Sequence, residues 1–184
     1  MSLKPKDPLL TAAKMLLTIA MIVFAVAASA CLIAMPLIWL FQGKISAEIA
    51  QEVANYDVVT LLWPLSALLV VTAVLMVIGF FFVKLLKQIV ETVGEGDPFV
   101  PVNATRLTRM GWLTLAVQVL TVPLAAAGMW AFKVTEPIRD NDGETLVIDH
   151  GLDFGGLILM LTLFILARVF REGARMRADL EGTV

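Results

Sequence analysis

The side chains best suited to metal binding or proton transfer lie between residues 140 and 153. His150, the only histidine of the chain, stands between Asp149 and Asp153. Histidine with carboxylate can ligate a divalent cation, but the spacing does not match a calcium loop, because Ile138 stands where the first ligand belongs. Further carboxylates precede the histidine: Asp140, Asp142 and Glu144. We interpret the segment as a solvated acidic loop and predict neither a metal nor another cofactor.

Ionisable residues within membrane spans would indicate transport or proton relay, yet the interiors of the four long apolar runs contain none. Gln118 is their only amide, and we expect it to hydrogen-bond a neighbouring helix rather than a substrate. A proton-coupled exporter needs a membrane carboxylate, and an intramembrane protease needs a serine–histidine pair, paired aspartates or a zinc motif. The sequence therefore disfavours both classes, and we predict no catalytic residue and no enzymatic activity.

The least generic stretch of the chain is residues 94–104, here called the clasp, which separates the second apolar run from the third. Its two glycines disfavour a continuing helix, and Asp97-Pro98 is a turn signal, because proline moves the preceding residue out of the α region. Asn103 is a good N-cap for the helix that follows. The clasp is either a well-built loop or a docking surface with Phe99 as its apolar anchor.

A second group of polar residues occupies positions 168–184, where arginines alternate with acids. Arg168 and Glu172 are four apart, so they can pair along one helix at roughly a few tenths of a kcal/mol. The arginines of this tail could also contact anionic lipid, or pair with acids of the clasp. We predict an inner-face network of nine residues: Asp97, Pro98, Phe99, Asn103, Arg106, Arg168, Arg171, Glu172 and Arg175.

Four apolar runs must position these residues, at about 15–41, 58–83, 111–132 and 152–167. Hydrophobic residues make up 59% of the chain and charged residues 16%, whereas soluble domains are roughly 45–50% apolar. A helix needs about 20 apolar residues to cross a bilayer. The sequence therefore predicts an all-α integral membrane protein, a four-transmembrane-helix bundle that forms one domain over residues 1–184.

The segments between the runs also carry helical patterns. Within the linker 84–110, residues 84–93 form one apolar and one charged stripe, so the second helix should continue out of the membrane. The same reasoning predicts a C-terminal helix over 168–184, and residues 47–54 suit a short surface helix.

A β-hairpin is predicted between helices 3 and 4. Asp142-Gly143 is the strongest short hairpin signal. Strand-forming residues flank it at 132–138 and 144–148. We expect a small extracytoplasmic hairpin at this place.

The distribution of cations predicts the orientation. Eleven Lys and Arg residues lie in the N-terminus, the linker 84–110 and the C-terminal tail, and three lie in the other two loops. Loops rich in Lys and Arg stay in the cytoplasm. We therefore predict an inner (cytoplasmic) membrane protein with both termini and the clasp in the cytoplasm.

Two blocks of the sequence resemble a known family. The first is Gly96-Asp97-Pro98-Phe99-Val100-Pro101, followed by Asn103-Ala104, Arg106-Leu107 and Gly111-Trp112. The second is the arginine-rich terminus from Leu166 to Val184. Together they are similar to the bacterial membrane proteins catalogued as domain of unknown function 2975, over most of the chain. One departure is Val102, where that pattern has an acidic residue.

The resemblance implies four transmembrane helices and no established activity. It also implies a partner by association, because members are often encoded beside a small helix-turn-helix regulator. Our leading hypothesis is a non-enzymatic membrane tether or sensor whose cytoplasmic docking surface holds such a regulator, without direct contact to nucleic acid.

Two alternatives stay open at this point. The first is an oligomeric transporter or channel component, in which Gln118 and the threonines of several copies face one lumen. The second is a purely structural membrane bundle. Small residues four apart, such as Ala30 and Ala34, permit close helix contacts within one copy or in a homo-oligomer.

Overall fold

Helices account for nearly all of the chain that the structure describes. The computed structural model describes residues 8–52, 58–135 and 153–181. These residues form five helices: α1 (Pro8–Leu40), α2 (Gln42–Glu52), α3 (Val58–Gly94), α4 (Pro101–Thr135) and α5 (Phe154–Glu181). Helices α1, α3, α4 and α5 are long and apolar enough to cross a membrane. The all-helical architecture with four candidate spans is as the sequence predicts.

The helices extend beyond the apolar runs. Helix α3 continues past residue 83 to Gly94, and α5 continues past residue 167 to Glu181. Both extensions were predicted from their helical periodicity. The short helix predicted at 47–54 is α2, which begins earlier, because the amides of Lys44 and Ile45 already donate to the carbonyl of Phe41.

The predicted β-hairpin is wrong. Its first strand was expected at residues 132–138, but α4 continues as helix to Thr135, and no strand occurs in 8–52, 58–135 or 153–181. Strand propensity is a weak, context-dependent preference, whereas each residue added to an existing helix gains a backbone hydrogen bond at little further cost. The rest of the proposed hairpin, with Asp142-Gly143, lies outside the described residues.

Two compact units make up the fold. The first is drawn from Met1–Ala25, Ile78–Gln118 and Asp153–Val184, and the second from Val26–Val77 and Val119–Leu152. The first unit contains the clasp and the nine residues of the predicted network.

The core of the first unit joins α3, α4 and α5. Its buried residues are Ile89, Leu107, Met110, Leu163 and Ala167. Gly111 lets α5 come close, because a Cβ at this position would lie 3.0 Å from the ring of Phe164. The rings of Trp112 and Phe164 then meet edge to face at 5.7 Å. These contacts fix the ends of the three helices beside the clasp.

The second unit contains a tryptophan pair. Trp39 and Trp63 meet edge to face at 5.6 Å between ring centroids. The indole Nε1 of Trp39 donates a hydrogen bond to Ser66 Oγ at 2.9 Å. Leu62 and Pro64, which flank Trp63 in the sequence, are buried. The polar edge of Trp39 is thus satisfied within the protein, as buried indole groups usually are.

Candidate docking surface

The clasp begins with a helix stop built from backbone hydrogen bonds. The amide of Gly96 donates to the carbonyl of Val93 at 3.0 Å, and that of Asp97 donates to Thr92 at 3.2 Å. Gly96 has a φ of 90°, in the left-handed region that favours glycine. This is the Schellman arrangement, which satisfies the last carbonyls of a helix. It confirms the predicted stop and turns the chain sharply into the Asp97-Pro98 turn.

Asn103 links three segments of the first unit. Its side chain is 0% exposed. Its Nδ2 donates to Thr92 Oγ1 at 2.7 Å and to the carbonyl of Pro98 at 2.9 Å. Its Oδ1 accepts a hydrogen bond from Arg106 Nη1 at 2.8 Å. The amide therefore connects the end of α3, the clasp and the first turns of α4.

The predicted N-cap role of Asn103 is wrong. Helix α4 begins at Pro101, so Asn103 is already inside its first turn. Proline is well suited to the first helical position, where its missing N–H would have no partner in any case. Arg106 adds a second connection, because its Nη1 also donates to the carbonyl of Gln88 at 3.1 Å.

Helix α5 packs on the clasp through an aromatic contact. The rings of Phe99 and Phe170 lie 5.4 Å apart at an angle of 46°. Gly173 makes room for this contact, because a Cβ added there would be 2.7 Å from Phe99 Cδ1.

An ion pair lies beside the aromatic contact. Asp97 Oδ1 faces the guanidinium of Arg177, with the two side chains 39% and 49% exposed. Thus Phe170, Gly173 and Arg177 present one face of α5 to the clasp.

The structure brings together only part of the predicted network. Five of the nine residues meet in the contacts just described: Asp97, Pro98, Phe99, Asn103 and Arg106. Glu172 instead pairs with Arg175 at 3.8 Å on the exposed surface, not with Arg168 as expected. Arg168 and Arg171 are exposed and form no ion pair with any residue that the structure describes.

Arg177 was missing from the predicted network, although a tail arginine paired with the clasp was one of the options. The sequence contained a signal that points to Arg177. Phe170, Gly173 and Arg177 are spaced three and four apart, which places them on one face of a helix. A glycine inside a charged helix costs about 1 kcal/mol relative to alanine. Its presence there indicates a close neighbour, which is Phe99.

The face of α5 next to the one that packs on the clasp carries an exposed apolar stripe. Val169, Met176 and Leu180 are 54%, 57% and 71% exposed. Their spacing of seven and four residues keeps them on one face. At 1.5 Å per residue, Met176 and Leu180 lie about 12 and 18 Å beyond Arg168 along the helix. The headgroup layer is only about 5–7 Å thick on each side, so a helix along the bilayer normal would carry both residues into water.

A second polar cluster lies within the apolar part of the first unit. Gln118 Nε2 donates to the carbonyl of Asp153 at 2.8 Å. The carboxylate of Asp153 accepts from the amides of Gly155 and Gly156 at 3.0 and 3.1 Å. These bonds cap α5, as aspartate commonly does. The prediction that Gln118 bonds to a neighbouring helix is confirmed.

Asp153, which the sequence interpretation assigned to the outer acidic loop, caps the N-terminus of α5. Along α4, Gln118 lies about 13 Å beyond Arg109, and along α5, Asp153 lies about 22 Å before Arg168. Both distances are shorter than the thickness of a hydrocarbon layer, roughly 30 Å. Gln118 and Asp153 line a cavity of about 270 Å³ together with Thr114 and with apolar residues such as Phe24.

The acidic segment that suggested metal chemistry lies outside the described residues. This applies to His150, Asp149 and the carboxylates at 140, 142 and 144. Asp153 alone is described, and its carboxylate is engaged with the first amides of α5.

Comparison with known proteins identifies a family. A family model described as Protein of unknown function (DUF2975) matches residues 39–184. No curated protein and no solved structure matches the chain. The matched residues include the clasp and all of α3, α4 and α5, and exclude most of α1. The chain therefore belongs to the DUF2975 family of proteins of unknown function, the family that its sequence resembles.

Proposed function

We propose that this chain is a non-enzymatic protein of the bacterial inner membrane that holds a small helix-turn-helix regulator at its cytoplasmic end. The docking surface is the exposed stripe of α5 with the charged residues beside it, and the clasp holds the adjacent face of the same helix. The observation that carries the proposal is the stripe itself. Exposed apolar side chains that extend past the membrane boundary are characteristic of interaction sites.

Two properties of α5 fit this role. Its packed face is held by Phe99 and by the Asp97–Arg177 ion pair, so the free face has a fixed direction before a partner arrives. Preorganisation of this kind lowers the entropic cost of binding. Arg168 and Arg175 are exposed on the charged face of α5, and Glu172 lies between them and the stripe. An amphipathic partner helix with an edge of mixed charge would match both the stripe and this charged border.

The proposed orientation places both termini and the clasp in the cytoplasm. Its support is the eleven-to-three distribution of Lys and Arg between the two sets of loops. The helix-turn-helix partner is inferred from the genomic association that the family resemblance implies.

A capture experiment tests the proposal. The detergent-solubilised chain is immobilised and incubated with the helix-turn-helix protein encoded beside it. We expect retention by the wild-type chain and loss with Met176→Asp plus Leu180→Asp, which place two charges on the stripe. The control is Ala178→Asp, an exposed position on another face of the same helix, which should retain the partner. No retention by the wild type, or equal retention by all variants, contradicts the proposal.

A second candidate function rests on the Gln118–Asp153 cluster. A carboxylate beside a cavity within the apolar layer is a feature of ion pathways, so the oligomeric transporter remains a candidate. Proton or cation flux into liposomes, recorded with a dye, decides between the two. Flux that is lost with Asp153→Asn would support transport, and an intact protein without flux would exclude it. If neither flux nor partner capture is observed, the remaining alternative is a purely structural membrane bundle.

A further inference from the structure

A groove with aromatic walls and two cations runs between α3 and α4 in the first unit. Its volume is about 470 Å³. Helix α3 contributes Phe81, Lys84, Leu85 and Gln88, and α4 contributes Arg109 and Trp112. Residues 81, 84, 85 and 88 are spaced at one helical turn, as are 109 and 112, so each helix presents one stripe to the groove. The groove shares no lining residue with the docking stripe of α5.

The two cations mark the same level of the membrane. Lys84 is the first charged residue after the uncharged stretch 58–83, and Arg109 is the last before the uncharged stretch 111–132. The helices that carry them are joined by a short clasp and therefore run in opposite directions. Lys84 and Arg109 thus lie together where hydrocarbon gives way to headgroups, which is also where tryptophan is enriched.

The chemistry of the lining favours an anion with an apolar body. Lys84 and Arg109 are exposed, and among the residues that the structure describes no carboxylate lines the groove to neutralise them. Phe81 and Trp112 are exposed as well. Lys84 Nζ lies 6.0 Å from the centroid of the Phe81 ring, so the cation and the aromatic wall are contiguous. A free phosphate would engage the cations but leave the aromatic wall uncovered.

We propose that this groove binds one anionic phospholipid. Its phosphate would lie between Lys84 and Arg109, and its acyl chains would pack along Phe81, Leu85 and Trp112. Arginine and lysine both bind phosphate well, arginine through its forked guanidinium and lysine as a compact charge. Gln88 offers an amide to the glycerol or headgroup oxygens.

Lipid selectivity is the first test. The full chain in neutral detergent is titrated with phosphatidylglycerol and, separately, with phosphatidylcholine of identical acyl chains, and bound lipid is counted by native mass spectrometry. We expect the anionic lipid to bind roughly thirtyfold more tightly, because two cations attract its headgroup. Equal affinity for the two lipids would overturn the proposal.

Substitutions of the two cations test whether the lipid preference arises in the groove. Lys84→Gln plus Arg109→Gln should abolish the preference, and Lys84→Arg plus Arg109→Lys should preserve it. The matched control is Lys44→Gln plus Lys133→Gln, which removes two exposed cations that do not line the groove and should leave the preference unchanged. Selectivity that survives in the first variant would contradict the assignment.

Two further measurements complete the test. The first asks whether the bound phosphate belongs to a lipid or to a soluble compound, and the second needs no substitution of Lys84 or Arg109, so it stays valid if those variants fail to fold. Millimolar glycerol phosphate or inorganic phosphate should not displace the bound lipid, and displacement would mean that a soluble phosphate is the occupant. In vesicles, a small fraction of brominated phosphatidylglycerol should quench Trp112 more than brominated phosphatidylcholine does. The signal of Trp112 is the difference between wild type and Trp112→Phe, so this readout leaves both cations intact. Equal quenching by the two lipids would refute the site.

Discussion

Among the residues of the clasp, Asn103 is the one that we expect to contribute most to stability. Its buried amide satisfies Thr92, Pro98 and Arg106 at the same time. We expect Asn103→Ala to lower the free energy of unfolding by about 2–3 kcal/mol, because it leaves buried polar groups without partners. Unfolding in mixed detergent and SDS measures this change. Thr105→Ala, an exposed position two residues away on another face of α4, is the control and should change stability by less than about 0.5 kcal/mol.

Asp97 should matter much less for stability, although it forms the ion pair to α5. The Asp97 and Arg177 side chains are 39% and 49% exposed, and ion pairs of this kind contribute about 0–1 kcal/mol. We therefore expect Asp97→Asn to reduce stability by less than about 1 kcal/mol in the same assay. Arg177→Gln serves as the reciprocal control, with a similarly small effect. A loss as large as that of Asn103→Ala would show that this estimate is wrong.

The sequence identified most of the residues of the clasp but not all of their roles. Asn103 preceded a helical pattern, which suits an N-cap, and only the start of α4 at Pro101 reveals that its side chain turns inward instead. The choice among four tail arginines depended on which face of α5 meets Phe99. The charge pattern does not indicate which face of α5 packs on the clasp. Gly173 does indicate it, because a residue without a side chain permits the close approach of Phe99.

At the scale of elements, the packing of α5 on the clasp depends on a glycine opposite an aromatic ring. Gly173→Ala places a methyl group 2.7 Å from Phe99 Cδ1, so we expect it to destabilise the wild-type chain. In a Phe99→Ala background the obstruction is absent. There the same substitution should stabilise by up to about 1 kcal/mol, because alanine is the better helix former. The measurement is a double-mutant cycle on unfolding free energies.

Gly43 provides a matched control for that cycle. It lies in α2, and nothing lies within 4 Å of a Cβ added there. Gly43→Ala should therefore have the same neutral or mildly stabilising effect with and without Phe99. A change at Gly173 that does not depend on residue 99 would refute the proposed contact between the clasp and α5.

The elements themselves were predictable where one physical constraint dominates. In lipid the backbone must satisfy its own hydrogen bonds, so long apolar runs have to be helices. Beyond the runs that constraint is absent, and local preference is a weaker guide. Helical periodicity gave correct extensions for α3 and α5, whereas strand propensity at residues 132–135 was overridden by the continuing helix α4.

At the scale of the whole molecule, the charge distribution divides the chain into two chemical sides. The extension of α5 holds four of the seven arginines and the first turns of α4 hold two more, whereas the loops at the other ends are acidic. The docking stripe and the lipid groove both belong to the basic side. A regulator held at α5 would therefore lie on the same side of the membrane as a lipid in the groove, and the two proposed sites share no residue.

This arrangement requires that the clasp and the end of α5 lie on one side of the membrane and α2 on the other. Cysteine labelling tests it in a Cys31→Ser background, which removes the only native thiol. We introduce Ser46→Cys in α2, Glu95→Cys in the clasp and Ala178→Cys in α5, one at a time, all at exposed positions. In intact cells stripped of their outer layers, an impermeant maleimide should label only position 46, because loops rich in Lys and Arg remain inside. Lysis should expose positions 95 and 178 together. Labelling of 95 and 178 from opposite sides would separate the clasp from α5 and would remove the physical basis of the docking surface.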